Sequence, residues 1–239
     1  MNFGPLIFLG VFFTMSLSWL GLVLGPQLQL GSQAPEMNDK TGQLYPQARA
    51  GTAQQGREVY RANGCFSCHS QQVRPQGFGA DIERGWGVRR TVAADYLFDS
   101  PLMVGSQRIG PDLANIGLRQ PDANQLLVHL YNPQITMATG QKSNMPSYPY
   151  LFEKRKLGRT ISPDALKFPS GFAPEAGYEI VPRVEARVLA EYLRSLHAEV
   201  PLIELPSITP GTNAVAETNA PAAAPTNAAQ SSATNSPAK

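Results

Sequence analysis

Both cysteines of the chain stand in one short run, Cys65-Phe66-Ser67-Cys68-His69. Two thiols separated by two residues and followed at once by an imidazole is the spacing that attaches a c-type haem. The thiols form thioethers with the vinyl groups of neighbouring pyrrole rings, and the histidine comes under the iron as its proximal ligand. Two other chemistries use part of the pattern. A redox dithiol needs the cysteines but has no use for His69, and a zinc site needs a second cluster of ligands that the sequence does not show. Only the haem reading employs all three residues.

A haem held in this way has a second axial position to fill. Of the six methionines, Met1 and Met15 belong to an apolar N-terminal run and Met37 to the polar stretch after it, which leaves Met103, Met137 and Met145. Met145 sits in Ser143-Asn144-Met145-Pro146-Ser147-Tyr148-Pro149-Tyr150, where two prolines stiffen a loop and hold a thioether in place without a helix. It is the expected iron ligand, because a Met/His pair is the ligation of an electron-transfer cytochrome c. His129 falls in an expected helix from Asp122 to Tyr131 with Leu126, Leu127 and Leu130 inward, and suits a hydrogen-bonding role or a place beside a haem propionate better than ligation. His197 closes the last helix, where it can satisfy terminal carbonyls.

A ligating imidazole also needs a partner for its other nitrogen. Gly110-Pro111-Asp112-Leu113 offers one, since a carbonyl on a rigid proline turn fixes ring orientation without adding charge; Pro111 is the expected provider. Arg108, just before it, is expected to pair with a haem propionate.

These residues need elements to carry them. Gln54 lies within an expected helix from Ala53 to Asn63, ended by Asn63-Gly64, whose left-handed turn precedes Cys65. Val184, Val188, Leu189, Tyr192, Leu193 and Leu196 fall on one stripe of a second helix. A first and a last helix around one haem is the plan of the class I cytochrome c fold, with Gly56 and Tyr60 at the positions where such helices cross. The expected fold class is therefore mainly α, with one N-terminal transmembrane helix and a disordered C-terminal tail.

The anchor is read from Phe3 to Leu24, a run without an ionisable side chain. As a helix it rises about 33 Å, against a hydrocarbon core of about 30 Å. Pro5 falls in the first turn, where a missing N–H costs little, and Trp19 lies near the far end at headgroup depth. A cleaved signal peptide is the competing reading. Ser32-Gln33-Ala34 resembles a cleavage site, but the run is longer than an h-region and no Lys or Arg precedes it. Positive-inside counting gives no orientation, because Lys40 is the one basic residue close after the span. The haem motif does, since c-type haem is attached on the periplasmic side. The organisation expected is thus an anchor over 1–24, a periplasmic tether over 25–52, a cytochrome c domain over 53–203 and a tail over 204–239. From Ser207 on, the chain is almost wholly Ala, Thr, Pro, Asn and Ser and has too little apolar surface to offset its chain entropy.

Composition excludes other classes. A net charge of +2 supplies no basic field for nucleic acid. With charged residues at 16% and 21 Gly and 21 Pro, a loop-rich fold is expected, and a porphyrin would supply part of its apolar core.

Four blocks in fixed order carry a more specific likeness: Gly64-Cys65-Phe66-Ser67-Cys68-His69-Ser70-Gln71, Val73-Arg74-Pro75, Gly105 to Leu113, and Asn144-Met145-Pro146-Ser147-Tyr148-Pro149. Over roughly 20–155 the chain resembles the membrane-anchored mono-haem cytochrome c subunit, subunit II, of cbb3-type haem-copper oxidases; residues 156–182 and the tail lie outside the likeness. The resemblance implies one covalent haem c on Cys65 and Cys68, with His69 and Met145 as iron ligands. It implies an electron relay from a di-haem cytochrome c subunit to the catalytic haem-copper subunit I, which reduces oxygen to water and pumps protons. It also implies a bacterial inner membrane location, single-pass, with the haem domain periplasmic and no oxygen site in this chain. Residues 70–107, with Arg74, Trp86, Arg89 and Arg90, are the expected docking loop. The alternatives are the cytochrome c subunit of a nitric oxide reductase and a stand-alone membrane-anchored cytochrome c. A haem enzyme or gas sensor, the rival from another class, would need a vacant distal position.

Overall fold

The computed structural model describes residues 2–31, 33–38, 42–138 and 141–198, and they are mainly helical. The chain divides into units 1–201 and 202–239. The tail expected over 204–239, and Ser32 and Lys40, lie outside the described residues.

The N-terminal helix runs unbroken from Gly4 to Leu30 and is long and apolar enough to cross a membrane. It comprises α1 (Gly4–Trp19), a π-helical turn (Leu20–Leu24) and α2 (Gly25–Leu30). The wide turn has a local cause. Pro26 has no N–H and its ring crowds the carbonyl one turn back, so the Gly25 N–H bonds the Leu20 carbonyl five residues earlier and the ladder opens around the proline. The helix thus continues past Leu24, where the anchor is expected to end, to Leu30, and Gly31 follows. Proline after an opened turn continues the helix instead of stopping it.

The segment expected as an extended tether, 25–52, carries regular structure of its own. After α2 comes an antiparallel hairpin, β1 (Glu36–Asn38) and β2 (Gln43–Tyr45), with Met37 opposite Leu44. Tyr45 Oη donates to Asp95 at 2.6 Å. Arg49 pairs with Asp99, to which the buried Arg57 also lies close at 3.8 Å. These contacts tie residues 45–57 to the loop at 95–99, so this stretch is part of the folded body.

Two helices frame that body, α3 (Gly51–Ala62) and α6 (Val184–Arg194). They cross at Gly56, where an added Cβ would strike the Val188 carbonyl and stand 2.7 Å from Tyr192 Cβ. A turn along, the Tyr60 and Tyr192 rings meet with centroids 5.3 Å apart. The short α4 (Ile116–Arg119) leads to α5 (Ala123–Tyr131), which begins where Asp122 accepts from the Asn124 N–H at 2.9 Å. Leu126, Leu127 and Leu130 face inward, joining Tyr60, Leu113, Leu189, Tyr192 and Leu193 in one core.

A second hairpin, β3 (Phe152–Lys156) and β4 (Tyr178–Pro182), pairs Phe152 with Pro182 and delivers the chain to α6. Its polar strand Phe-Glu-Lys-Arg-Lys shows little apolar alternation and carries no strand signal.

Candidate functional site

The site is built on the turn after α3. Asn63 donates through Nδ2 to the Val59 carbonyl at 2.7 Å, and Gly64 takes the left-handed conformation at φ +67°, which glycine adopts without a Cβ clash. The reversal leads into one tight turn, Cys65–Ser67, and the N–H groups of Cys68 and His69 both bond the Cys65 carbonyl, at 3.2 and 3.0 Å. Both thiols and the imidazole are thereby presented by a single turn. Burial pushes the Cys65 thiol up to about 11. A reactive dithiol motif needs the opposite shift, toward the thiolate.

A second segment, Gly105 to Leu113, is laid along this turn. Ser106 N–H bonds the Phe66 carbonyl at 3.1 Å, Gly110 N–H the Cys68 carbonyl at 2.9 Å, and Leu113 N–H the Ser70 carbonyl at 2.8 Å. The result is that His69 Nδ1 lies 2.7 Å from the Pro111 carbonyl. A carbonyl can only accept, so Nδ1 carries the proton and Nε2 keeps its lone pair. Burial lowers the His69 pKa, with the Pro111 bond and the Asp112 charge opposing. The imidazole is accordingly neutral at physiological pH, which is the form that binds a metal.

Gly110 packs flat against that ring. A Cβ there would come within 2.7 Å of Nδ1, and the imidazole, held by Pro111, has no free rotamer to escape into. Gly110→Ala is expected to cost about 1–3 kcal/mol of overpacking and to displace His69. The check is the yield and visible spectrum of cofactor-loaded protein, which should fall and shift while a control at an exposed glycine with open space and ordinary backbone, Gly51→Ala, changes neither the yield nor the band positions by as much.

The loop of Met145 comes to the same place. The Met145 N–H is held by Ser143 Oγ at 3.1 Å, Tyr148 N–H bonds the Leu130 carbonyl at 3.0 Å, and Tyr150 Oη reaches Asn63 Oδ1 at 2.5 Å. Asn63 is two residues before Cys65. Met145, Tyr148, Cys65 and Phe66 all pack, partly buried, on the one core. Burial, with the neighbouring thiols contributing, pushes the Tyr148 hydroxyl up to about 12. Of the other methionines considered, Met103 is buried within the core and Met137 is partly buried just past the Pro133–Thr136 turn. His129 Nδ1 is engaged with Thr136 Oγ1, and His197 is exposed.

Arg108 is partly buried and engaged within the fold. Its guanidinium donates to Asp81 at 2.5 Å and to the Gln72 carbonyl. Asp81 is fully buried and also receives Arg74, through the side chain at 2.8 Å and the backbone N–H at 2.8 Å. Burial alone would raise its pKa, but the two arginines hold the carboxyl well below the usual carboxylate range. The expected docking loop is similarly occupied with itself. Arg74 serves Asp81, Arg89 pairs with Asp95 at 2.7 Å, and Trp86 lies beneath Arg84 at 5.0 Å, while Arg90 is exposed. Sequence reasoning missed Asp81, Gly110 and Asp112. For the last two the available signal was their position on either side of Pro111.

No curated protein matches the chain. The family described as "cytochrome c oxidase, mono-heme subunit/FixO" matches residues 7–169, a span that takes in most of the apolar helix, the Cys65–His69 turn, the Pro111 segment, the Met145 loop and β3. With the thiols, the neutral imidazole and the methionine loop converging on one turn, and with that match covering more than half of its length, the chain belongs to this family of mono-haem cytochrome c oxidase subunits.

Proposed function

We propose that the chain is the electron-relay subunit of a cbb3-type oxidase, anchored by its N-terminal helix in the bacterial inner membrane with the folded body in the periplasm. Cys65 and Cys68 would hold one haem c by thioethers, with His69 and Met145 as axial ligands. The haem, when bound, supplies one-electron redox chemistry. The residues present fit that group: the only cysteines share one turn with a neutral imidazole whose Nδ1 is already committed to Pro111, leaving Nε2 for a metal. That is the observation carrying the proposal.

The chain's own contribution is to hold and to exclude. Pro111 fixes the tautomer and orientation of His69. The 143–150 loop offers a thioether, a soft neutral ligand, where bulk water would otherwise compete. Were His69 and Met145 both to ligate the haem, no position would be left on it for oxygen, so reduction of oxygen and any proton translocation would belong to the catalytic haem-copper subunit I. A di-haem cytochrome c subunit is the proposed donor. Arg108 remains the proposed propionate partner, sharing its guanidinium with Asp81. Membership of an oxidase family weighs against the nitric oxide reductase and stand-alone alternatives.

The experiment is affinity purification of the full chain from detergent-solubilised membranes, followed by denaturing electrophoresis with a haem-peroxidase stain. The band of this chain should stain, and a haem-copper subunit should co-purify. Colour lost on denaturation would refute thioether attachment, and a chain recovered without an oxidase subunit would refute the assignment to the complex.

A further inference from the structure

We propose that Asp112 is a positioning residue for the iron ligand: its carboxylate locks the His69–Pro111 hydrogen bond, and its negative charge, held by neutral donors and not by an ion pair, lowers the reduction potential of a haem bound at His69. This inference rests on the haem reading above.

The locking is visible in the contacts. Asp112 is fully buried. One carboxylate oxygen accepts from Ser70 Oγ at 2.6 Å and from the Gln72 N–H at 2.7 Å, and the other accepts from the Ala114 N–H at 2.8 Å. Ser70 is the residue after His69 and Gln72 the third after it, while Asp112 immediately follows Pro111. The side chain therefore clips together the two segments whose separation sets the Nδ1–carbonyl distance, beside the Leu113–Ser70 backbone bond at 2.8 Å.

The charge argument comes from a contrast between the two fully buried aspartates. Asp81 sits between Arg74 and Arg108, and its field is cancelled locally. No hydrogen bond or ion pair from a cation reaches the Asp112 carboxylate among the described residues: all three donors are neutral, and the nearest guanidinium described, that of Arg119, bonds the Asp112 backbone carbonyl and acts on the carboxylate only through space. Neutral donors stabilise a carboxylate without cancelling its charge, so its field extends through the low-dielectric interior. A nearby negative charge stabilises the oxidised iron over the reduced iron, and so lowers the potential. A clip alone could be built from an amide; the charge is what the carboxylate adds.

The test compares two variants of the full haem-loaded chain by redox titration of its visible spectrum. Asp112→Asn removes the charge and keeps the shape, and should raise the midpoint potential by at least a tenfold shift in the one-electron equilibrium, about 59 mV. Ser70→Ala keeps the charge but removes one stabilising donor, and should lower the potential. Opposite signs mark the field of a carboxylate. Shifts of the same sign, or an unchanged potential in Asp112→Asn, overturn the proposal in favour of simple loosening of the loop. If Asp112→Asn fails to accumulate, Ser70→Ala decides alone, since an unchanged or raised potential contradicts it. A wild-type chain that carries no covalent haem on a stained denaturing gel would instead sink the haem reading itself.

Discussion

Replacement of Met145 by alanine is expected to abolish the weak methionine-to-iron charge-transfer band of the oxidised protein in the near infrared and to lower its midpoint potential. A thioether is a soft, neutral ligand that favours ferrous iron, so its loss removes the factor that holds a His/Met centre above other ligations. Electron flow to the oxidase should stall. Attachment through Cys65 and Cys68 should survive, because the turn that carries them is closed by its own backbone bonds to the Cys65 carbonyl, and the bond from the 143–150 loop to Asn63 comes from Tyr150 and not from the Met145 side chain. The variant therefore separates ligation from attachment: a stained band with an altered spectrum. The structure also says which control to use. Met103 lies inside the core, so Met103→Ala should destabilise the protein by about 2–5 kcal/mol as a cavity without removing the band. If Met103→Ala or Met137→Ala removes the band and Met145→Ala does not, the ligand is misassigned.

The second large effect is expected at Gly56, which touches no ligand. Here α3 and α6 approach so closely that even a methyl group would meet the Val188 carbonyl and crowd Tyr192 Cβ at 2.7 Å. A backbone carbonyl cannot rotate aside as a side chain can, so the helices must separate. Separation would open the contact of the buried Tyr60 and Tyr192 rings and expose the stripe containing Leu189 and Leu193. Gly56→Ala should thus cost more than the usual overpacking range and approach the 4–5 kcal/mol that marks the severe tail of single substitutions. Against a total stability of about 5–15 kcal/mol, that predicts little folded, haem-loaded chain in membranes. Gly51→Ala, at the start of the same helix with nothing within 4 Å of its added Cβ, should leave the level unchanged. Equal accumulation of the two variants would show that the crossing tolerates a wider spacing.

The two predictions differ in where their grounds lie. Met145 can be proposed as a ligand from the sequence because its neighbours are local: Pro146 and Pro149 stiffen the loop whatever the rest of the chain does. The same holds for Cys65-Phe66-Ser67-Cys68-His69, whose spacing is its chemistry, for Gly64, whose left-handed turn is a property of one residue, and for Pro111, a carbonyl on a turn that proline restricts. The helices of Gly51–Ala62 and Val184–Arg194 are legible for the related reason that a 3.6-residue apolar period is written along a single segment.

What the tertiary structure decided is of another kind. Arg108 and Asp81 are 27 residues apart, and nothing in either neighbourhood announces that they pair. Phe152 finds Pro182 across a polar strand that has no strand signature by itself. Tyr45 and Asp95 fix what composition alone makes a loose tether, and the apolar helix runs past Leu24 because an opened turn accommodates Pro26. Gly110 and Asp112 become intelligible only when the imidazole lies beside them. In each case the energy comes from desolvation, close packing or an ion pair between groups distant in sequence. Such energies depend on distances that exist only once the chain has closed on itself, so short-range spacing specified the chemistry of this protein and long-range contact specified how that chemistry is held and tuned.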